Sequence, residues 1–471
     1  MMISRYRARW AMTASMVTAG SLLLGSCNMS DKLLEPQQPG VIGPESVDNA
    51  TGAEALRIGA LQQLSAVTGG QPAGGGTTMW SSGGTLADEW KSSDTFFQTD
   101  ETDRRTIPTN NSQVSGQYQN AQVARGHAKN AIDALREHSP ERGPYIAQMY
   151  FALGFIELNL NEHFCNGIPF GFTENGVPNY VEPIPNKEGY ELSIARLDSG
   201  LALVANIPAS DAFGTSTKNA LLVAKARAQM DLGQFAQAAT TVATVPTSFS
   251  WNLTYSTTAG DNLPYGMNGV PASSRYVVSD SFDFFNGQLN VVKNAVPFAS
   301  AKDPRVPVLG STTNTQKGID AYTSWVGSAV WSDRTAPVTL VNGIDARLIE
   351  AEAKGQANDI TGMMTILNTL RTTPQQLGKL AVPAMAPLPT PATRDAAISL
   401  LFRERAFWQF GRGQRIGNLR RLIRQYGRPQ DQVFPTGQYF KSGTYGADVN
   451  LPVTDNEMTN PNFKGCIDRN A

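Results

Sequence analysis

The groups in this sequence that are best suited to recognition chemistry are aromatic rings and amides on loops. Sugar rings stack on indole and phenol faces through their apolar C–H bonds, while neighbouring polar side chains bind the hydroxyls. Residues 246–339 lose helical periodicity and are rich in Ser, Thr, Asn, Gly and Pro. Their aromatic residues are Trp251, Tyr255, Tyr265, Tyr276, Phe282, Phe284, Phe285, Tyr322, Trp325 and Trp331. Plain packing remains the alternative for each ring.

Groups for catalysis or metal binding are sparse. The chain has three histidines, widely separated, and lacks the HExxH, GxSxG and phosphate-loop motifs. Carboxylate pairs such as Asp88/Glu89 and Glu350/Glu352 have the chemistry of a glycosidase, but most acidic pairs are solvated faces. We therefore expect a protein without catalytic activity, metal or cofactor, and keep a glycan hydrolase as an alternative.

An arginine-rich stretch, Ile398–Arg424, is the most distinctive part of the chain. It contains seven arginines and one acid, Glu404, interleaved with Phe402, Phe407 and Trp408. Apolar side chains cover too much of the helical wheel for a surface helix, so the pattern predicts a helix docked into a core. The formal net charge of −1 argues against nucleic-acid binding, which favours a strongly basic face.

Helical periodicity dominates the rest of the chain and predicts a mainly α fold. We predict helices at Glu54–Val67, Gln117–Glu137, Ile146–Phe164, Ser193–Ile207, Thr217–Asp231, Gln234–Val245, Ile344–Lys354 and Thr361–Arg371. Gly233, Phe235 and Ala238 resemble the turn and second helix of a tetratricopeptide repeat, in which Gly turns the chain and Ala allows close helix contact. Any αα-hairpin has similar preferences, but repeated Ala-rich pairs favour a helical-repeat scaffold.

The first 26 residues have the pattern of a secretory signal peptide. Three arginines precede a mostly apolar stretch, Trp10–Leu24, which is too short to span a membrane as a helix. The small residues Gly25 and Ser26 stand directly before Cys27, as in a bacterial lipobox. We predict removal of residues 1–26 and lipidation of Cys27; an ordinary signal peptide with an incidental cysteine is the alternative.

Export gives the two remaining cysteines an oxidising environment. Cys165 and Cys466 either form a disulfide or leave two free thiols outside the cell. We favour the disulfide, which would tie the C-terminal tail to the first half of the protein.

Several motifs, in this order behind a lipobox, resemble the SusD/RagB-like outer-membrane lipoproteins. A leader at Asp31–Pro36 follows the cysteine, and Glu404-Arg405 with Gly413-Gln-Arg415 and Leu419-Arg420-Arg421 is similar to the family's arginine-rich motif. Further matching segments are Phe155–Pro169, Ala224–Ala239, Arg347–Ala353, Leu367–Arg371 and Leu451–Pro461. Arg412 and Asn418 depart from the pattern, since the family usually has Glu and Asp there, so Arg412 needs another partner.

The resemblance implies a tetratricopeptide-like scaffold with long irregular loops on one face. It divides the mature chain into an N-terminal helical region (27–245), a loop-rich ligand face (246–340) and a C-terminal helical region (341–471). Members of the family bind nutrients, mostly glycans, on an aromatic arc of the loops. By region, this implies ligand contacts from Trp80, Trp90, Trp251, Tyr265, Trp325 and Trp331.

The resemblance also implies a location, a partner and a role for the arginines. The protein is expected on the outer membrane, anchored by lipid and facing the exterior, where it delivers a ligand to a TonB-dependent SusC-like barrel transporter. Glu404, Arg405, Gly413, Arg415 and Arg420 are expected to be structural, with Glu350 and Glu352 as hypothetical ion-pair partners of the arginines. A member that binds peptide or another nutrient, and a helical scaffold without a ligand, remain alternatives.

Overall fold

Helices make up most of the regular structure, as the sequence predicts, in a computed structural model that describes residues 48–70, 78–174, 176–256, 263–285, 288–313 and 315–471. The predicted signal peptide, the leader at 31–36 and the lipidation site Cys27 lie outside these ranges. Within them, no helix combines the length and apolar character needed to cross a membrane. Residues Asn49–Ala471 form one compact unit.

The first half of the chain stacks helices in sequence order. Its elements are α1 (Ala50–Val67), α2 (Met79–Ala87), β1 (Trp90–Ser92), α3 (Phe97–Asp103), α4 (Ser112–His138), α5 (Gly143–His163), β2 (Thr173–Glu174), β3 (Val177–Pro178), α6 (Asn186–Leu203), α7 (Ala212–Asp231) and α8 (Phe235–Val242). Helix α1 packs on α4, and from α4 to α8 each helix packs on the next one. This arrangement confirms the predicted helical-repeat scaffold.

Glycines allow these helices to approach closely. A Cβ atom added at Gly154 of α5 would lie 2.8 Å from Leu197 Cγ of α6, and one at Gly200 of α6 would lie 2.8 Å from Leu221 Cδ2 of α7. Both distances are shorter than van der Waals contact, so a larger residue at either position would force neighbouring side chains to shift. The turn between α7 and α8 uses Gly233 with a φ of +74°, a conformation that glycine adopts without strain.

Short strands and loops replace helices in the middle of the chain. The elements are β4 (Ser250–Leu253), α9 (Leu263–Asn268), β5 (Tyr276–Val278), β6 (Phe282–Phe285), β7 (Gln288–Val291), β8 (Val308–Gly310), β9 (Val326–Ser328) and β10 (Val338–Asn342). They pair as two-stranded antiparallel ladders, β4 with β10, β6 with β7 and β8 with β9. Strand β5 pairs with β1, which attaches the middle segment to the first half.

The arginine stretch forms two helices, so the prediction of one continuous helix is wrong. The final elements are α10 (Gly343–Gln356), α11 (Ile360–Thr372), β11 (Gln375–Leu377), β12 (Leu380–Val382), α12 (Arg394–Trp408) and α13 (Arg415–Arg424). Between α12 and α13, Gly411 and Gly413 have φ values of +67° and +69°, which end a right-handed helix. The turn packs tightly, because a Cβ atom at Gly413 would lie 2.1 Å from Trp80 Cδ1.

Buried ion pairs connect the arginine helices to α10. Glu352 accepts a hydrogen bond from Arg421 at 2.6 Å and forms an ion pair with Arg405 at 2.8 Å, and all three side chains are buried. This confirms Glu352 as a partner. Arg412, whose position departs from the family pattern, pairs with Asp345 at 2.6 Å. The compensating carboxylate therefore comes from the first turn of α10.

Glu350 and Glu404, two further acids considered with the arginine stretch, have different partners. Glu350 pairs with Arg347 of its own helix at 2.9 Å, so the expected pairing of Glu350 with the arginine stretch is absent. Glu404 lies buried and accepts from Arg305 at 2.6 Å and from Arg371 at 3.0 Å. Glu404 therefore joins α12 to α11 and to the middle segment.

Arg420 closes the C-terminal end of α5. Its Nη1 atom donates to the carbonyl oxygens of Asn161, Glu162 and Phe164 at 2.8–2.9 Å. The last carbonyls of a helix lack partners within it, so a buried guanidinium satisfies groups that would otherwise be costly to bury. His163 at the same end is buried, which lowers its pKa to about 3 and keeps the ring neutral.

The C-terminal tail is held at this end of α5 by the predicted disulfide. The Sγ atoms of Cys165 and Cys466 are 1.98 Å apart across a sequence separation of 301 residues. Backbone hydrogen bonds beside it, from Cys165 N to Leu451 O and from Ile467 N to Asn166 O, attach the tail on both sides.

The adjacent acids Asp88 and Glu89, noted in the sequence as a carboxylate pair, have separate structural roles. Asp88 binds Arg415 through two hydrogen bonds of 2.6 and 2.8 Å. Glu89 is fully buried and accepts from Gly411 N at 2.8 Å. Burial raises the pKa of Glu89 to about 8, so this carboxyl is neutral at pH 7.

Replacing Arg415 with Met tests whether the arginines hold the fold. The substitution leaves Asp88 buried without its cation, so we expect the free energy of unfolding to fall by about 3–5 kcal/mol. Urea denaturation measures the change. The control is Lys354→Met, which breaks an exposed pair with Asp359 and should change the stability by less than about 1 kcal/mol. Equal, small effects of the two substitutions would contradict a structural role for Arg415.

Replacing Glu89 with Gln tests the protonation of this buried carboxyl. From its usual pKa of 4.5 up to about 8, the folded protein keeps a proton that the unfolded chain releases. The contribution of Glu89 to the free energy of unfolding is therefore fully present below pH 4.5. It falls by about 1.4 kcal/mol per pH unit between pH 4.5 and about 8.

The Glu89→Gln variant cannot titrate here, so its free energy of unfolding should fall less steeply between pH 5 and 8 than that of the parent protein. Denaturation at several pH values gives both slopes, and their difference isolates Glu89 from other buried acids such as Asp103 and Glu162. Glu191→Gln, at a solvated position of α6, should leave the slope unchanged. Parallel profiles for the parent protein and the Glu89→Gln variant would refute the assignment.

Candidate functional site

The tryptophans selected from the sequence lie in the core. Trp80, Trp90, Trp251, Trp325 and Trp331 are between 2% and 9% exposed, so none offers an open ring face to solvent. The indole nitrogen of Trp80 donates to Asn159 Oδ1 at 2.9 Å, and that of Trp325 donates to Asn268 O at 2.9 Å. Buried indoles commonly find such partners. These indole rings therefore belong to the core on which the loops pack.

The structure brings only part of the predicted aromatic arc together. The ring centroids of Trp90 and Trp331 are 6.2 Å apart, and Phe410 lies 4.8 Å from Trp90. Trp80 and Trp90 also line one cavity of about 20 Å³, a space that holds about one water molecule and is too small for a sugar ring. Tyr265 is half-buried against the core.

An open cleft, lined mainly by the middle segment, is larger than the cavity beside Trp80 and Trp90, and its aromatic rings are exposed. Its volume is about 480 Å³, and Tyr322 and Phe284 in its walls are 45% and 39% exposed. We call it the Tyr322 cleft. The described residues that line it are Lys91, Phe284, Thr312, Thr313, Lys317, Ala321, Tyr322, Thr323, Ser324 and Phe440. Two exposed rings beside hydroxyl and ammonium groups suit a ligand with both apolar and polar faces.

A carboxylate fixes the loop that carries Tyr322. Asp320 Oδ1 accepts from the backbone N–H groups of Tyr322 and Thr323 at 2.9 and 2.8 Å, while Oδ2 accepts from Thr323 Oγ1 at 2.6 Å. The backbone N–H of Asp320 donates to Ser93 O at 3.0 Å, just beyond β1. The ring of Tyr322 thus stands on a turn anchored to the helical scaffold.

The floor of the Tyr322 cleft is a compact set of ion pairs. Lys91 of β1 pairs with Asp283 of β6, and both side chains are buried. The ammonium group of Lys91 also lies 4.8 Å above the ring centroid of Phe440. Lys441 pairs with Asp100 at 2.6 Å and with Asp320 at 3.2 Å. These pairs join α3, β1, the Tyr322 loop and the C-terminal segment.

The β6–β7 hairpin presents its apolar face outward beside this floor. Phe284 is opposite Leu289 and Phe282 is opposite Val291, and directly opposed residues share one face of an antiparallel pair. Leu289 and Val291 are well exposed, whereas Asp283 on the other face is buried. The alternation directs Phe284 toward the Tyr322 cleft.

The sequence predicts the ligand face in this segment, but the five tryptophans that it selects are buried. Tyr322 and Phe284 both belong to the aromatic group between 246 and 339, whereas the ligand contacts were assigned by region to those tryptophans and Tyr265. The large apolar area of tryptophan makes it a strong core residue. Asp320, two residues before Tyr322, was the available signal, since Asp often caps a turn that exposes its neighbours.

Comparison with known proteins shows similarity in structure. No protein-family model matches the sequence, and no curated protein matches it either. A SusD-like carbohydrate binding protein from Bacteroides vulgatus superposes with a TM-score of 0.61 at 15% identity, covering 88% of this chain and 97% of that chain. A SusD-like carbohydrate binding protein from Bacteroides fragilis gives 0.63 at 12% identity, covering 89% and 99%.

A third similar structure is surface glycan-binding protein A from Bacteroides uniformis. Its TM-score is 0.62 at 14% identity, and the match covers 88% of this chain and 99% of that chain. All three matches extend over nearly the whole of the known structures, so they concern the entire scaffold. The chain therefore has the fold of the SusD-like proteins, the family that its sequence motifs resemble.

Proposed function

We propose that this protein is a SusD/RagB-family lipoprotein of the cell surface that binds an oligosaccharide in the Tyr322 cleft. The observation that carries the proposal is the pair of exposed rings, Tyr322 and Phe284, in the walls of an open cleft of about 480 Å³. Sugar rings stack on such faces, and the hydroxyls of Thr312, Thr313 and Ser324 are available for polar contacts.

Two further observations support a glycan over other ligands. The similar structures include proteins described as carbohydrate binding and as surface glycan-binding. In addition, Phe96 and Phe97 at the start of α3 are 46% and 64% exposed, three and four residues beyond Ser93, which anchors the Tyr322 loop. These two exposed rings, close in sequence to the residue that anchors the Tyr322 loop, suit a ligand of several sugar units.

The lipid anchor and the transporter belong to the proposal through the sequence. Cys27 behind its predicted signal peptide supports a lipid anchor. The outer membrane and the outward orientation are proposed from the family that the motifs resemble. In the family that the motifs resemble, bound ligand passes to a TonB-dependent SusC-like barrel. We propose the same delivery step for this protein and no catalytic step.

The Tyr322→Ala variant tests the ligand site. Loss of the stacking face should weaken binding of oligosaccharides identified on a glycan array by about tenfold or more, as measured by isothermal titration calorimetry. Because Tyr322 is on an exposed turn, the melting temperature should change little. The matched control is Tyr180→Ala, since Tyr180 is 46% exposed and lies outside the cleft.

Unchanged affinity in both Tyr322→Ala and Phe284→Ala would place the site elsewhere. Binding of peptides, with no glycan bound, would favour the peptide-binding alternative. If no ligand is found in a broad screen, the alternative of a helical scaffold without a ligand would be favoured.

The partner can be tested independently of the ligand. We expect a neighbouring gene to encode a large plugged barrel with a TonB box, and we expect this barrel to co-purify with the full-length lipoprotein from detergent-solubilised outer membranes. Replacing Cys27 with Ala should release the protein from the membrane fraction, as followed by immunoblotting. A neighbourhood without such a barrel, and a lipoprotein that purifies alone, would contradict the delivery step.

A further inference from the structure

The described lining of the Tyr322 cleft carries positive charge and no carboxylate. It has two ammonium groups, Lys91 and Lys317, and the hydroxyls of Thr312, Thr313, Thr323 and Ser324, but none of the described lining residues is Asp, Glu, Asn or Gln. A hydroxyl both donates and accepts, whereas an ammonium group only donates. The ammonium groups therefore favour a ligand that supplies acceptors, above all an anionic one.

Two carboxylates that contact lining residues, Asp283 and Asp320, are already engaged. Asp283 is buried and paired with Lys91. Asp320 accepts from Thr323 Oγ1 and from two backbone N–H groups, and pairs with Lys441 at 3.2 Å. Consequently neither acid neutralises the remaining cation of the cleft, which is Lys317.

Lys317 differs from the other lysines of this region in its partners. Its Nζ atom donates to Ser324 Oγ at 3.0 Å, and no ion pair to it is found among the described residues. Its backbone is fixed, because Lys317 forms an isolated bridge with Ser324, and Gln316 O accepts from Trp325 N at 2.9 Å. An ammonium group has three donors, so a half-buried Lys317 can bind an anion while keeping its contact with Ser324.

We propose that the Tyr322 cleft selects saccharides that carry an anionic group, with Lys317 binding the carboxylate or sulfate and Tyr322 stacking on a sugar ring. This inference rests on the proposed function and narrows its ligand class. A cation that is half-buried interacts more strongly with an anion than a fully solvated one does. The same electrostatic term disfavours cationic ligands, so the charge of the saccharide becomes the basis of selection.

The test compares anionic oligosaccharides with neutral counterparts of the same backbone. One arm uses an oligogalacturonide and its methyl ester, and the other uses a sulfated oligosaccharide and its desulfated form. Calorimetry on the mature protein should show at least one anionic probe binding about tenfold more tightly than its neutral form. The arm that shows the preference identifies the source of the charge. Raising the salt concentration should reduce the preference.

Variants of Lys317 attribute the preference to this residue. Lys317→Gln should reduce the ratio of anionic-probe affinity to neutral-probe affinity about five- to tenfold, whereas Lys317→Arg should retain the preference. The control is Lys187→Gln on α6, which removes an equal charge from a position with 76% side-chain exposure. It should leave both affinities unchanged.

The outcomes separate this inference from the proposed function. If neutral and anionic probes bind equally and Tyr322→Ala abolishes both, the cleft binds glycans but does not select charge, and the inference is wrong. A preference that survives in Lys317→Gln also overturns it. If no probe or array glycan binds, the proposed function and the inference fail together.

Discussion

The structure depends on burying arginines together with their carboxylates. Arg421 and Arg405 bind Glu352, and Arg415 binds Asp88, all with little solvent contact. Burying charge is expensive, so such pairs are weak evidence of net stability, but removing one partner is strongly unfavourable. Each pair also demands a particular position of two elements. The arginine helices therefore define where α2 and α10 lie, in addition to filling the core.

This constraint reaches the Tyr322 cleft through a short chain of contacts. Asp88 stands between α2 and β1, and β1 carries Lys91 into the floor of the cleft. Ser93 then holds the backbone of Asp320, whose carboxylate shapes the turn below Tyr322. The tryptophans buried beneath the loops complete the support. The proposed ligand site, on irregular structure, thus takes its rigidity from a helical scaffold.

Much of the fold was predictable from the sequence because helical periodicity and small residues at helix contacts are local signals. The helix pairs, the Gly233 turn and the Cys165–Cys466 disulfide were all predicted. The break at Gly411 and Gly413 was missed, since those glycines are needed for packing against Trp331 and Trp80, which are distant in sequence. The exposure of Tyr322 and Phe284 was not predicted for a related reason: exposure depends on the whole fold, which the types of the residues do not reveal.

The most direct test of the central claim is a crystal structure of the mature protein with an oligosaccharide that it binds in solution. We expect a sugar ring stacked on Tyr322, with further contacts to Phe284 and to the hydroxyls of the Tyr322 cleft. A saccharide bound at another surface, with the same cleft empty, would contradict it.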